Sequence, residues 1–483
     1  MTSSDLALRL DALRAKDALS AAILDAFAVF LADAPDEALF RMSPLRYAAE
    51  QGMAEQEGID LFLHATHVGI LEFAWGVLCP GCLAFLTTSG GLRSLDKKKH
   101  CNFCNIDIEG SIDDRVEVAF TVAPTVRRIR FHTPDALDLR QDGIRLYFSS
   151  SLAPKSAPHE ALRRRILVAG RALPGVVHEV SVTLEAGETV LLTPTSHAAV
   201  YLSASAASSA REVSLDLLDG HAIPDAINVA TGPIELRMHN RTPQPLGYIL
   251  GPISGSLWPA PALPGAPLTH AFRPYLTGQR LVSTQTFRDL FRAESIPSDG
   301  GLELKAVTVL FTDLQGSTAI YERVGDLRAY DLVRRHFAAL RAIVAAEGGA
   351  VVKTIGDAVM ASFADPLWAM RAAVRMSRAV SALGEGDLLL KIGLHSGPCI
   401  AVELNERLDY FGRTVNIAAR VQGLAASGEI VCSEIVYTSP GVREVVAAAG
   451  LFPTRVSASL RGISGDIPVV RLSAERASRE DVA

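Results

Sequence analysis

The stretch Lys305–Thr318, KAVTVLFTDLQGST, decides the fold of the carboxyl-terminal third. Val307, Val309 and Phe311 alternate with Thr308 and Leu310 in a β-branched and aromatic run, the pattern of a buried strand, and that strand closes on Asp313. Farther along, Val351–Met360, VVKTIGDAVM, reads as a hairpin: Val351 and Val352 rise into the Ile355-Gly356-Asp357 turn and Ala358–Phe363 returns. In a βαββαβ sheet the carboxyl end of the first strand lies beside the hairpin joining the second and third, so Asp313 and Asp357 are expected to converge at one edge. Two convergent carboxylates suit a hard cation such as Mg²⁺, which keeps waters and substrate phosphates as its other ligands. Each taken alone reads better as an ordinary strand-end or turn aspartate.

The surrounding pattern supplies the rest of an α+β, ferredoxin-like core. A helix is expected from Asp326 to about Ala346 with Tyr330, Val333, Phe337, Leu340 and Val344 on one face, ended by Gly348-Gly349. Asp365-Pro366 then caps a second helix carrying Ala369, Ala373, Met376 and Val380 inward, with Gly384 beyond its end, and Leu388–Leu394 is the next strand. Arg407–Gln422, RLDYFGRTVNIAARVQ, reads as a loop entering a helix at about Thr414. On it Asn416 and Arg420 share one face, with Val415, Ala418 and Ala419 apolar on the other. An amide and a guanidinium projecting together can hold a ribose and a triphosphate, because arginine offers phosphate a fixed fork of donors. A solvated polar face accounts for the same two residues.

FTDLQGST, KTIGD, GLHSGP and LDYFGRTVNIAAR, in this order and spacing, resemble the catalytic domain of class III adenylyl cyclases over residues 304–472. The resemblance implies that Asp313 and Asp357 hold two Mg²⁺ or Mn²⁺ ions, with the Leu314 carbonyl as a further ligand. It implies that Lys353 and Asp409 read adenine, that Asn416 orients the ribose and that Arg420 stabilises the transition state. Arg461, in LRGISG, stands where relatives often carry a phosphate-binding lysine. It also implies a homodimer whose sites are shared between subunits.

At 483 residues the chain has room for about three domains. A composition 49 % hydrophobic and 21 % charged is that of a folded globular protein, and a net charge of −6 argues against a mainly nucleic-acid-binding chain. No window approaches the roughly 18 uninterrupted apolar residues of a membrane span. Even Ala21–Ala34 is broken by Asp25 and Asp33. The start, MTSSDLALRL, lacks the charged-then-apolar order of a secretory signal, so the expected location is cytoplasmic.

The front half divides into three parts. Residues 1–115 read as helical, through Leu6, Leu10 and Leu13, then Leu24, Phe27 and Leu31, then Met42–Ala54 and Ile59–Phe73. The same part holds Cys79-Pro-Gly-Cys82 and Cys101-Asn-Phe-Cys104, eighteen residues apart, the spacing of a four-thiolate zinc ribbon. A reducing cytoplasm disfavours disulfides, which leaves a structural Zn²⁺ as the expectation. Cys399 and Cys432 read as core thiols. Residues 116–255 carry short strands, beginning with VEVAFTV, between Gly, Pro, Asn and Asp turns, and read as a β-sandwich. Residues 256–303 comprise a Pro/Gly/Ala-rich linker and a helix, Thr284–Glu294, placed to transmit between the halves, with Phe287, Leu290 and Phe291 on one face. Residues 473–483 are a tail. Phe40–Val126 is also similar to an uncharacterised amino-terminal domain that precedes cyclase domains in some bacterial proteins.

The function expected from these readings is conversion of ATP to 3′,5′-cyclic AMP and pyrophosphate, regulated by the amino-terminal domains. The alternative is a catalytically silent, cyclase-like nucleotide-binding regulatory protein. A nucleic-acid-binding role built on the zinc ribbon is disfavoured by the acidic charge and the lack of aromatic–basic clusters.

Overall fold

The computed structural model describes residues 3–16, 18–79, 84–89, 98–101, 106–109, 115–149, 151, 164–193, 196–252, 274–291, 302–315, 322, 325–382, 389–404, 407–463 and 465–474. Gly384, the Gly316–Thr318 part of the opening motif, most of the Pro/Gly/Ala-rich linker and most of the tail lie outside that set. The chain forms two compact units, whose main boundary in sequence falls between Leu276 and Thr277.

In the first unit, helices span Ser3–Arg14, Ala21–Asp33, Pro44–Gln51 and Glu55–His67. The Ser20 hydroxyl accepts the Ile23 N–H and caps the second of these, which buries Leu24, Phe27 and Leu31. The helical reading through Phe73 is corrected: helix ends at His67 and Leu71–Leu78 is a strand. Leu71, Phe73 and Trp75 are buried there while Glu72 is exposed, a period of two that a short apolar run does not distinguish from a helical stripe. This strand lies between Phe85–Ser89 and Val116–Val122. VEVAFTV, read as the first strand of the β-rich part, therefore pairs instead with the front sheet, Phe73 opposite Phe120. A helix at Leu139–Tyr147, not anticipated from sequence, follows. Between Val168 and Pro252, strands form one sheet of four and one of five around a shared core that includes Leu191, Val200, Leu215, Leu236 and Leu250.

The second unit opens with two short helices, α1 (Gly278–Val282) and α2 (Gln285–Leu290). It continues β1 (Leu302–Gln315), α3 (Asp326–Ala346), β2 (Ala350–Ile355), β3 (Ala358–Phe363), α4 (Pro366–Ala382), β4 (Leu389–Leu404), β5 (Arg407–Phe411) and α5 (Arg413–Gly423). Then come β6 (Ile430–Ser433), α6 (Glu434–Tyr437), α7 (Val442–Ala448), β7 (Phe452–Ser459) and β8 (Asp466–Ser473). The sheet order is β2-β3-β1-β4-β6-β8-β7, with β5 paired to β4. Its first four strands carry the expected βαββαβ connection.

The two long helices pack Ala329, Leu340, Val344, Ala369, Ala373 and Met376 against Leu310, Ala361, Phe363 and Ile392 of the sheet. The buried stripe of α3 is Ala329, Leu332, His336, Leu340, Ile343 and Val344, and Tyr330, expected inside, is 64 % exposed. This helix carries apolar residues on two adjoining faces, and only the sheet beneath it selects between them. β4 is longer than expected and runs through His395-Ser396-Gly397-Pro398. Its pairing with β1 shifts register between Leu304 and Val307, opposite Pro398, where the ladder needs no proline N–H.

Candidate active site

The β1–β3 register puts Phe311 opposite Met360 and Thr312 opposite Val359. One step farther along each strand brings Asp313 beside Ala358 and the turn that carries Asp357, on chains roughly 4.8 Å apart. Gly356 makes that turn with φ +62°, a conformation side chains rarely adopt. Thr312 Oγ1 accepts the Val359 N–H at 3.1 Å and pins the hairpin to β1. Both aspartates are half-buried, and among the described residues neither has a hydrogen-bond or ion-pair partner. Carboxylate oxygens of this kind are the donor type that Mg²⁺ or Mn²⁺ takes. His336 of α3 is fully buried; burial drives its pKa down to about 4 against the opposing pull of Asp357.

A second pairing joins residues 56 positions apart: Lys353 Nζ donates to Asp409 Oδ2 at 2.7 Å. Lys353 stands on β2 at the edge of the sheet and Asp409 on β5, which pairs with the far part of β4, Asp409 opposite Val402. Asp409 is 6 % exposed, and its other oxygen accepts the Tyr410 N–H at 2.8 Å. The carboxylate is thereby held in one orientation while the lysine remains half-open to solvent.

Asn416 and Arg420 project together from α5, both exposed. The opposite side differs from the expected Val415, Ala418 and Ala419: Thr414, Ile417, Ala418 and Val421 are buried and Ala419 is exposed. Ile417 and Val421 pack with Val431, Leu460 and Val469, which rotates the buried face away from Ala419. The helix sits close on β4 because residue 393 is glycine; a Cβ there would lie 2.2 Å from the Gln422 backbone. Arg420 reaches the LRGISG loop, where a Cβ on Gly462 would be 3.8 Å from its Nη2. Arg461, next to that glycine, is exposed. Among the described residues, no hydrogen bond or ion pair links the Asp313/Asp357, Lys353/Asp409 and Asn416/Arg420 groups to one another.

Of the sulfur residues, Cys399 and Cys432 are buried thiols whose pKa burial pushes up to about 12. Cys79 follows the strand Leu71–Leu78, and Cys101 ends Lys98–Cys101, which pairs with Ile106–Glu109; both cysteines are buried. Cys82 and Cys104 lie outside the described residues, and among those described no group of three or more His, Cys, Asp or Glu side chains is placed to hold a metal. No described helix is long and apolar enough to cross a membrane. Two polar residues of α2, Gln285 and Arg288, make contacts with the strands of the site that its apolar pattern gave no reason to expect.

Comparison with known proteins divides the chain in the same way. Residues 3–289 match the profile of a family of unknown function (DUF5939), and residues 302–445 match the adenylate and guanylate cyclase catalytic domain. An uncharacterised protein of Mycobacterium tuberculosis is 38 % identical over 123 residues, 26 % of this chain and 31 % of that protein. Adenylate cyclase 2 of Rhizobium meliloti is 34 % identical over 130 residues, 24 % of this chain and 36 % of the relative. The alignments thus span about a third of the length of these curated relatives. Among solved structures, the adenylyl cyclase CyaB from P. aeruginosa aligns at 23 % identity and a TM-score of 0.31, over 38 % of this chain and all of that one. The guanylate cyclase domain of RhGC from Catenaria anguillulae, in complex with GTP, aligns at 23 % identity and a TM-score of 0.31, over 36 % of this chain and 99 % of that one. Through residues 3–289 the chain belongs to the family of unknown function DUF5939, and an adenylate and guanylate cyclase catalytic domain follows at residues 302–445.

Proposed function

We propose that the protein is an adenylyl cyclase, forming 3′,5′-cyclic AMP and pyrophosphate from ATP by in-line attack of the ribose 3′-oxygen on the α-phosphorus. The observation that carries the choice of ATP is the Lys353–Asp409 pair, whose polarity fits adenine. The ammonium donates to N1 and the carboxylate accepts from the exocyclic amine; guanine presents a carbonyl and a protonated N1 and needs the reverse. Asp313, Asp357 and the Leu314 carbonyl would hold two Mg²⁺ or Mn²⁺ ions per site, which would supply positive charge beside the ribose 3′-hydroxyl and the phosphates. Asn416 sets the ribose, Arg420 stabilises charge developing around the α-phosphate, and Arg461 binds the terminal phosphates.

Each chain carries one set of metal carboxylates and one set of purine, ribose and phosphate residues, so a two-fold homodimer would build two equivalent shared sites. In the front half the C-x-x-C pairs fit a structural Zn²⁺ by ligand type and spacing, and a reducing cytoplasm suits both the thiolates and the ATP supply. Regulation by the front half completes the reading.

Cyclic nucleotide formation from ATP and GTP, with Mg²⁺ or Mn²⁺, tests the proposal. Replacing Lys353 by Glu together with Asp409 by Cys should lower kcat/KM for ATP by at least about tenfold and raise relative GTP use. An unchanged ATP rate in that variant would remove the base assignment, and no product from either nucleotide in the wild type would favour the silent, nucleotide-binding alternative.

A further inference from the structure

The helix α2 is unusual in what it buries. Ser283, Thr284 and Gln285, at and before its start, are 0 %, 1 % and 7 % exposed. Polar side chains this deep need partners. The Gln285 amide has two: its Oε1 accepts the Val351 N–H of β2 at 2.8 Å, and its Nε2 donates to Asp289 Oδ1 at 3.0 Å. Asp289 in turn pairs with Arg341 of α3, so the amide is held on both sides. One helical turn later, Arg288 Nη1 donates to the Leu408 carbonyl of β5 at 2.7 Å and its Nε to the Val282 carbonyl at 3.1 Å. Its guanidinium carbon lies 5.0 Å from the centroid of the Tyr410 ring. Arg288 therefore grips β5 on both sides of Asp409, while Gln285 holds β2 two residues before Lys353.

β2 and β5 are not neighbours in the sheet; β3, β1 and β4 separate them. Among the described hydrogen bonds they are joined at two places, directly by Lys353–Asp409 and indirectly through these two side chains of α2. We infer that Gln285 and Arg288 are positioning residues for base selection, fixing the separation and angle of the Lys353–Asp409 pair from a helix that lies at the end of the DUF5939 match. Reading a purine edge requires an ammonium and a carboxylate at a set spacing, and displacement by about 1 Å is enough to lose the contact. The inference rests on the adenine-reading role proposed for that pair. The match to the family of unknown function ends at residue 289, within α2.

The test uses the full-length protein and compares kcat and KM for ATP with those for GTP, as substrate or as competing inhibitor. Arg288→Ala should raise KM for ATP by on the order of tenfold or more and cut the ATP preference similarly, with kcat changed far less. Arg288→Lys, which still donates to the Leu408 carbonyl, should recover part of that loss. Gln285→Met, which keeps the bulk and removes the amide, should move the ratio in the same direction and decides the matter if Arg288→Ala does not fold. In a Lys353→Ala background the Arg288→Ala effect on the ratio should vanish, as coupling through one pair requires. If Lys353→Ala alone leaves the ATP preference intact, the base-reading role fails. If Lys353→Ala collapses the preference but folded Arg288 and Gln285 variants keep it, or lose kcat equally for both nucleotides, the positioning role is overturned.

Discussion

The two halves of this chain use charge differently. In the catalytic unit Asp313, Asp357, Lys353, Asn416 and Arg420 stand at strand ends, turns and an exposed helix face, each half-buried or exposed. In the front unit the notable charged groups face inward. Glu117 is 1 % exposed, and burial raises its pKa against the pull of Ser149, Arg145 and Arg41. Burial lowers Arg41 to about 9 and Arg145 to about 10. Their partners are structural: Arg41 Nη1 donates to the Leu146 carbonyl at 2.8 Å, and Arg145 donates to the Phe40 carbonyl. Catalysis imposes residue types at fixed offsets on a surface, whereas a buried network of this kind specifies shape, and shape is compatible with many sequences.

The comparison breaks most sharply at the two aspartates proposed to hold metal. Asp313→Ala or Asp357→Ala should reduce turnover by at least about a hundredfold, while the melting temperature stays within about 2 °C, because each removes an unengaged carboxylate and no packing. Retention of substantial activity by either folded variant would dissolve the metal assignment. Mixing is the next test. Inactive Asp313→Ala and Asn416→Ala proteins, allowed to exchange subunits, should recover roughly a quarter of wild-type activity, since about half of the dimers are mixed and each mixed dimer has one intact site. No recovery despite demonstrated exchange would put both residue sets in the same subunit's site.

The smallest expected effect on activity sharpens the contrast from the other side. Cys101→Ser should abolish zinc in purified protein, which the wild type should hold at about one per chain, and lower the front-half melting transition by several degrees. Below that transition, cyclase turnover should stay within about twofold. Wild-type protein free of zinc would end the ribbon reading; a larger change in turnover with the fold intact would make the ribbon part of the regulatory path.

Much of the catalytic unit was legible in advance. The β1 strand, the β2–β3 hairpin and both long helices lie where residue alternation, turn chemistry and caps put them. The expectation that Asp313 and Asp357 lie at one edge came from those elements and one connection rule. Less of the front was legible. Leu71–Leu78 read as helix, Val116–Val122 read as part of the β-rich region, and the helix at Leu139–Tyr147 gave no clear signal.

Local pattern by itself determined the elements whose identity depends on residues two to four positions apart, and the motif spacing determined which carboxylates, cysteines and helix-face residues were candidates. Tertiary structure alone decided that Val116–Val122 completes the front sheet, which stripe of α3 is inside, and that Lys353 meets Asp409. It also decided that Gln285 and Arg288 face the strands bearing that pair. Each of these is a competition for burial or for a hydrogen-bond partner among segments that are neighbours only in the folded chain. Its outcome depends on which other surfaces are present, and no short window of sequence contains that information.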